Sequence, residues 1–493
     1  MGAPIVNNPD PSLINADIAP TTDAERHWSV FNMASLWVGM VVCVPTYTLA
    51  AGLIQQGMNW WQAVGTIMLG NCIVLVPMIL NGHPGTKYGV PFPVLARASF
   101  GIQGAHIPSL MRALVACGWF GIQTWFGGYA IYQLVNGLIG GGLEMADLPF
   151  LGVSPTELGC FLLFWVMQIA IIYRGIESIR VLETIAAPFL IAIGLALLAW
   201  AYVTAGGFGP MLSTPSAFAE GGAKEGQFWT VFFPSLTAMV GFWATLSLNI
   251  PDFTRYAKSQ RDQILGQAIG LPATMTLFAF ISVAVTSATV VIYGEPVWDP
   301  TVLAGKMGGG FSVFIALLAL AIATLSTNIA ANVVSPANAI INVAPQKFTF
   351  QLGGYVTAAI GLVIMPWKLI ESPDGYIFTW LIGYSALLGP IGGILIADYF
   401  LLRKTELDLD GLYRHNGPYT YTNGFNIAAI VAFVVAVLPN APGFMHQIKL
   451  VGDGFPMIGL FDQIYTYAWF VGFGMAAVLY LILMNVLPHK SMK

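Results

Sequence analysis

The stretch "SLWVGMVVCVPTYTLAAG", residues 35–52, is apolar enough to cross a bilayer but carries Gly39 and Pro45 in its middle. Glycine and proline release backbone amides and carbonyls from the helical ladder. At membrane depth such groups persist only where protein, an ion or a bound molecule satisfies them. An interruption here therefore reads as a binding site, provided that the rest of the chain is itself embedded in lipid.

The composition meets that condition. Of the 493 residues, 57% are hydrophobic and 9% charged, and the mean hydropathy is +0.74. A soluble core needs far less apolar surface, so the chain reads as an all-α polytopic membrane protein whose main partner is the lipid bilayer. Apolar stretches long enough for a hydrocarbon core of about 30 Å lie near 31–54, 60–82, 107–134, 156–174, 179–205, 227–249, 265–293, 311–343, 353–371, 375–402, 425–441 and 464–487, which predicts 12 transmembrane helices. The first 30 residues are polar, with Asp10, Asp17, Asp23 and Glu25, and lack the pattern of a cleavable signal. With both termini inside, only Lys224, Lys306, Lys368 and Lys449 of the 19 Lys and Arg fall on the outer side. The positive-inside rule then predicts cytoplasmic termini for a multi-pass protein of the cell (inner) membrane.

The sixth stretch shows the same signals as the first: "VFFPSLTAMVGFWATLSLN", residues 231–249, holds Pro234 and Gly241. We therefore expect two broken helices. Gly39 and Gly241 are 202 positions apart, and Trp119 in the third stretch stands 207 positions before Ser326 in the eighth. A unit of five helices is odd, so a second copy inserts upside down, giving an inverted repeat with a midplane site between the halves. The predicted organisation is an N-terminal segment 1–30, a first repeat 31–205, a second inverted repeat 227–402, two further helices within 425–487 and a tail 488–493.

The third stretch contains "GWFGIQTWFGG", residues 118–128. Trp119 and Gln123 are four apart and share one helix face, placing an indole plane beside an amide that both donates and accepts. The eighth contains "ATLSTNIAANVVSPAN", residues 323–338, with Ser326, Thr327, Asn328 and Asn332; the sixth adds Trp243 just after Phe242. Singly, a membrane Trp is an interface anchor or packing residue, and Asn or Ser is interhelical glue. Together, mid-span in the interrupted helices and their repeat partners, they describe a narrow slot for a planar, uncharged, amide-rich heterocycle. The adjacent hydroxyls of Ser326 and Thr327, facing carbonyls freed at the first break, suit sodium, a hard cation that takes oxygen ligands and needs no carboxylate. Intramembrane carboxylates are scarce: Glu183 begins the fifth stretch, while Asp252 and Asp398 sit at helix ends where structural pairing is the expectation.

Other classes fare worse. The net charge of -4 marks no nucleic-acid surface, and nothing implies a protein partner. Cys43, Cys72, Cys117 and Cys160 lie in apolar stretches without metal or disulfide spacing. The six histidines are scattered without paired spacing, and no nucleophile elbow or phosphate loop appears, so an enzyme is not expected. A non-concentrative channel or a sensor is the rival from another class, since broken helices also line pores.

The phrases "NGHPGTKYGVPFPVLARASFGIQGAHIPSLMRA" (81–113), "WFGIQTW" (119–125), "WATLSLNIPDFTRYAKSQ" (243–260), "GEPVWD" (294–299), "STNIAANVVSPA" (326–337) and "LGPIGGILIADYFLLRK" (388–404) resemble the nucleobase-cation-symport-1 family, over roughly residues 20–488. The resemblance implies a LeuT-like five-plus-five inverted repeat with two appended C-terminal helices, and alternating-access cation symport of nucleobases, hydantoins or allantoin. It implies that Trp119 and Trp243 sandwich the substrate ring and that Gln123 and Asn332 hydrogen-bond its edge. It places sodium, in sodium-coupled members, at the carbonyls of Gly39, Val42 and Ala323 and the hydroxyls of Ser326 and Thr327; proton coupling is the alternative. Two positions depart from the family pattern. Cys43 stands where several relatives carry Asn or Gln, and Phe242 where a hydantoin-transporting relative has Gly. Both point away from hydantoin itself, and the longer phrases rank allantoin first and uracil next.

Overall fold

The computed structural model describes residues 6–487 apart from 175, 308–309 and 371–374. Among the described residues, nineteen α-helices follow one another: α1 Val30–Val41, α2 Val44–Gln55, α3 Trp60–Tyr88, α4 Phe92–Phe100, α5 His106–Leu138, α6 Pro155–Arg174, α7 Ile176–Thr204, α8 Phe208–Leu212, α9 Phe228–Asn249, α10 Pro251–Thr254, α11 Gln260–Tyr293, α12 Pro300–Lys306, α13 Gly310–Val343, α14 Phe350–Val363, α15 Ile382–Ile396, α16 Ile427–Val437, α17 Ala441–Gln447, α18 Ile458–Thr466 and α19 Ala468–Val486. The same residues form no strand, only two isolated bridges. Each apolar stretch predicted from the sequence overlaps one or two of these helices. Among the described residues eight continuous helical spans are long and apolar enough to cross a bilayer, two of them extending α15 to Thr379–Leu402 and joining α16 with α17 over Ile427–Gln447, and α1 with α2 forms a ninth, bent by 60°.

That bend is the predicted break of the first stretch. Val42 leaves the helix at φ -78°, ψ 77°, and Cys43 restarts it from extended backbone with Pro45 at the second position of α2. Proline suits a first turn, where its missing N–H has no intrahelical acceptor to lose.

The second predicted break does not form. α9 runs without interruption through Pro234 and Gly241. Pro234 lies in the second turn, so its missing donor affects only the carbonyl of Thr230 near the helix start. Gly241 is a contact glycine: a Cβ there would collide with the Ser385 hydroxyl and lie 3.0 Å from the Leu381 carbonyl. Its small size brings α9 against α15 rather than opening the ladder.

Helix faces follow the same logic. α6 buries Phe161, Phe164, Gln168 and Ile172, one stripe at helical spacing, while Leu163 and Val166 are exposed toward lipid. Gly127 and Gly128 of α5 leave room for Phe164 and for the Phe161 backbone, so α5 and α6 press together. The segment before α1 is stitched to α4, to the end of α10 and to a turn that follows α15. Arg97 Nη2 donates to the Leu13 carbonyl at 3.0 Å, Arg255 Nη1 to that of Asp17 at 3.0 Å, and Tyr413 Oη to that of Ile18 at 2.7 Å.

Candidate functional site

The site grows from α5. Gly118 has no Cβ to collide with the Trp380 ring, so that indole lies against the helix beside Trp119. Trp119 is 5% exposed and is met edge-on by Phe242 at 5.4 Å, Trp380 at 6.0 Å and Tyr384 at 6.4 Å. Phe242 in turn meets Trp243 edge-on at 4.9 Å, and Trp243 meets Trp37 at 5.1 Å. The two tryptophans named from the sequence are thus brought to one aromatic wall, with the Phe242 ring between them. The edge-to-face geometry suits aromatic quadrupoles and holds each ring in place.

Gln123 lies one turn beyond Trp119 and is buried, and its Oε1 has no hydrogen-bond donor among the described residues. The indole Nε1 atoms of Trp243 and Trp380 are likewise buried without acceptors there. Buried polar atoms are almost always paired, so these three unpartnered atoms beside edge-on aromatics make this the candidate small-molecule site. Asn332 donates from Nδ2 to Asn328 Oδ1 at 2.9 Å. Asn328 donates to the Phe120 carbonyl at 3.0 Å and to Gln168 Oε1 at 2.6 Å.

The candidate ion residues also converge. Thr327 Oγ1 donates to the Gly39 carbonyl at 3.2 Å, directly across the break between α1 and α2. Val42 and Ala323 share one small buried cluster, and Ser326 and Thr327 are buried beside them in sequence. Cys43 lies at this break rather than on the aromatic wall. Its Sγ is 3.3 Å from Thr46 Oγ1, and it lines a small cavity with Tyr47, Phe278 and Ala323. Two turns beyond Trp119 along α5, a larger cavity of about 480 Å³ is lined by Trp125, Tyr129, Asp147, Glu157, Asp299 and Trp367.

Sequence reading missed three parts of this arrangement. Arg112 is fully buried and joins three helices: Nε donates to the Thr245 carbonyl at 3.0 Å and to Asn249 Oδ1 at 2.9 Å, and Nη2 to the Ala331 carbonyl at 3.5 Å. Trp380, in the π-helical segment Gly375–Leu381 that leads into α15, and Tyr384 of α15, four apart in "TWLIGY", form that side of the wall; their spacing repeats that of Trp119 and Gln123 and was the available signal. Gln168, the one polar residue on the buried stripe of α6, was the third. The expected structural pairings hold: Asp398 binds Arg403 at 2.7 Å, and Asp252 accepts from the Phe92 amide at 3.0 Å. Glu183 lies outside the residues whose side chains are described. Cys43, Cys72, Cys117 and Cys160 are all free thiols.

Comparison with known proteins identifies the family. Residues 20–472 match a family described as permeases for cytosine/purines, uracil, thiamine and allantoin. A purine-uracil permease of Arabidopsis thaliana is 50% identical over 98% of this chain and 79% of its own length. An allantoin permease of Bacillus subtilis is 40% identical over 97% and 95%. Among solved structures, a nucleobase-cation-symport-1 family transporter in a closed conformation with bromovinylhydantoin bound superposes with a TM-score of 0.77 at 27% identity, covering 96% of each chain. A sodium-coupled sialic acid symporter shares the fold alone, with a TM-score of 0.66 at 12% identity over 96% of this chain and 92% of its own.

Proposed function

This chain belongs to the nucleobase-cation-symport-1 permeases, a family of LeuT-like multi-pass transporters rather than enzymes, and on that basis we propose that it imports a small uncharged ureide or nucleobase by sodium symport. The buried, unpartnered Oε1 of Gln123 beside Trp119 carries this reading. A heterocycle with ring N–H groups supplies the missing donor, and the surrounding indoles supply faces on which its ring rests. Trp119, Trp243 and Phe242 form the wall, and Gln123 and Asn332 read the edge. Two substrates lead. Allantoin ranks first on the phrases at 81–113 and 243–260, and uracil follows, supported by the purine-uracil permease at 50% identity. Hydantoin ranks third, because Phe242 adds bulk to the wall.

The carbonyls of Gly39, Val42 and Ala323 with the hydroxyls of Ser326 and Thr327 fit sodium by chemistry: all are hard, neutral oxygens on two helices held 3.2 Å apart at Thr327 and Gly39. Bound there, sodium would supply positive charge that ties the break to α13. The same bond serves a proton-coupled carrier as plain interhelical glue, so the coupling ion needs its own test. Both termini are assigned to the cytoplasm of a cell (inner) membrane protein, on the charge asymmetry.

The experiment is radiolabelled uptake and binding in proteoliposomes, with sodium replaced by choline at fixed pH. The expected result is concentrative uptake of allantoin or uracil that needs sodium, with sodium and substrate tightening each other by one common factor. Equal uptake in choline, driven by a pH gradient, refutes sodium and leaves a proton symporter. Equilibration without concentration identifies a channel. Failure of Trp119→Ala and Gln123→Ala to weaken binding by about fivefold or more removes these residues from the substrate site.

A further inference from the structure

The amides of Asn332 and Asn328 have a polarity that their surroundings force. The Phe120 carbonyl can only accept, and it receives Thr124 Oγ1 at 2.6 Å and Asn328 Nδ2 at 3.0 Å. Asn328 must therefore turn its NH₂ toward α5. The same NH₂ reaches Gln168 Oε1 at 2.6 Å, and Gln168 Nε2 donates to Thr124 Oγ1 at 2.8 Å, which fixes the Gln168 amide in turn. With its donors committed, Asn328 offers only Oδ1 to Asn332. Asn332 must then spend Nδ2 on that bond, at 2.9 Å, and its own carbonyl has no protein donor among the described residues. Thr124, Gln168 and Asn328 are all fully buried, so water does not compete for these roles.

Asn332 is tied through Asn328 to the Phe120 carbonyl, next to Trp119 on α5. The carbonyl of Asn332 and the orphan Oε1 of Gln123 thus give the site two acceptors, and that of Asn332 cannot switch to a donor while the chain of bonds stands. Gln168 makes both of its bonds away from Asn332 and is the second anchor, beside the Phe120 carbonyl, that keeps this polarity.

Resting on the substrate site proposed above, we infer that Gln168, through Asn328, is a positioning residue that locks Asn332 as a hydrogen-bond acceptor, so that the carrier selects heterocycles presenting a ring N–H. A site built around a fixed buried acceptor rejects an isostere that lacks the donor, because the acceptor is then left unpaired. Without Gln168 the Asn328 amide is held only by the Phe120 carbonyl, which Thr124 already shares, and by Thr124 Oγ1 at 3.3 Å, so its grip on Asn332 loosens and the discrimination weakens. Neither Gln168 nor Asn328 needs to touch the substrate.

The test uses the full chain in proteoliposomes and competition binding with uracil and its 1-methyl and 3-methyl derivatives, which stand in for isosteres lacking one ring N–H donor. Wild type should bind at least one methyl derivative about tenfold or more weakly than uracil. Gln168→Leu should cut that ratio to about threefold or less, mainly by weakening uracil, while still depending on Trp119. In the Asn332→Leu background the ratio should already be low, and adding Gln168→Leu should leave it unchanged, as expected when two residues act through one contact. Thr124→Val, close in shape, removes the hydroxyl that receives Gln168 Nε2 and should lower the ratio in the same direction; it decides the matter if Gln168→Leu does not fold. Equal weakening of all three ligands by a folded variant, or an unchanged ratio, overturns the positioning role. Wild-type protein that binds neither allantoin nor uracil, or binds them without Trp119, refutes the proposed substrate site instead, a distinguishable failure; a carrier that binds allantoin but not uracil is tested in the same way with N-methylated allantoin.

Discussion

α1 with α2 and α9 carry the same sequence signals, a glycine and a proline inside an apolar span, yet one breaks by 60° and the other is straight through both residues. The difference lies in what surrounds each glycine. A Cβ on Gly39 would meet nothing within 4 Å, whereas one on Gly241 would run into Ser385 and the Leu381 carbonyl. In the first case the backbone is left open toward Thr327, whose hydroxyl takes the Gly39 carbonyl. In the second, the backbone is closed by a neighbour: Tyr384 Oη donates to the Gly241 carbonyl at 2.9 Å. Glycine in a membrane helix therefore marks either a freed carbonyl or a close approach, and only the partner helix decides which.

The largest effect should come from filling the close approach. Gly241→Val is expected to cost about 3 kcal/mol by overpacking α9 against α15, read as a clear drop in melting temperature in detergent. Gly39→Ala should melt at or above the wild-type temperature, since alanine is the better helix former. Equal melting of both variants would erase the distinction between the two helices.

Next in size is Pro45→Ala, which restores an amide donor just after the break and lets the ladder between α1 and α2 close. Binding of sodium and substrate should weaken several-fold, and the stabilisation that sodium confers on melting should fall with it. An unchanged sodium response would show that the bend is held by packing alone.

Thr327→Ala removes the hydroxyl that spans from α13 to Gly39. A loss of about 1 kcal/mol, roughly fivefold, is expected in apparent sodium affinity, with a smaller change in substrate affinity at saturating sodium. Weakening of both to the same degree would return Thr327 to interhelical glue.

The smallest effect belongs to a region remote from both helices. His446 bridges Asp462 at 3.0 Å and Asp453 at 3.2 Å beyond α16. His446→Gln, which cannot bridge both carboxylates as a cation, should accelerate amide exchange over 441–467 without changing substrate affinity. A substrate effect would couple this hairpin to the transport core.

Residue order was enough to set the membrane class, the approximate helix positions and a candidate interruption between Gly39 and Pro45, because bilayer thickness and proline chemistry act locally on the chain. It also marked Trp119, Gln123, Trp243 and Asn332, since a polar side chain in mid-span is costly unless it meets a ligand, an ion or a neighbouring helix. Packing between distant helices then made Gly241 a contact rather than a break. It brought Trp380 and Tyr384 onto the Trp119 face and drew Arg112 and Gln168 into the buried network. Those assignments depend on which helix lies opposite, and the direction of the Asn332 amide is set by a carbonyl 212 positions earlier, at Phe120. No local pattern encodes such a pairing; only close packing of α5, α6 and α13 supplies it.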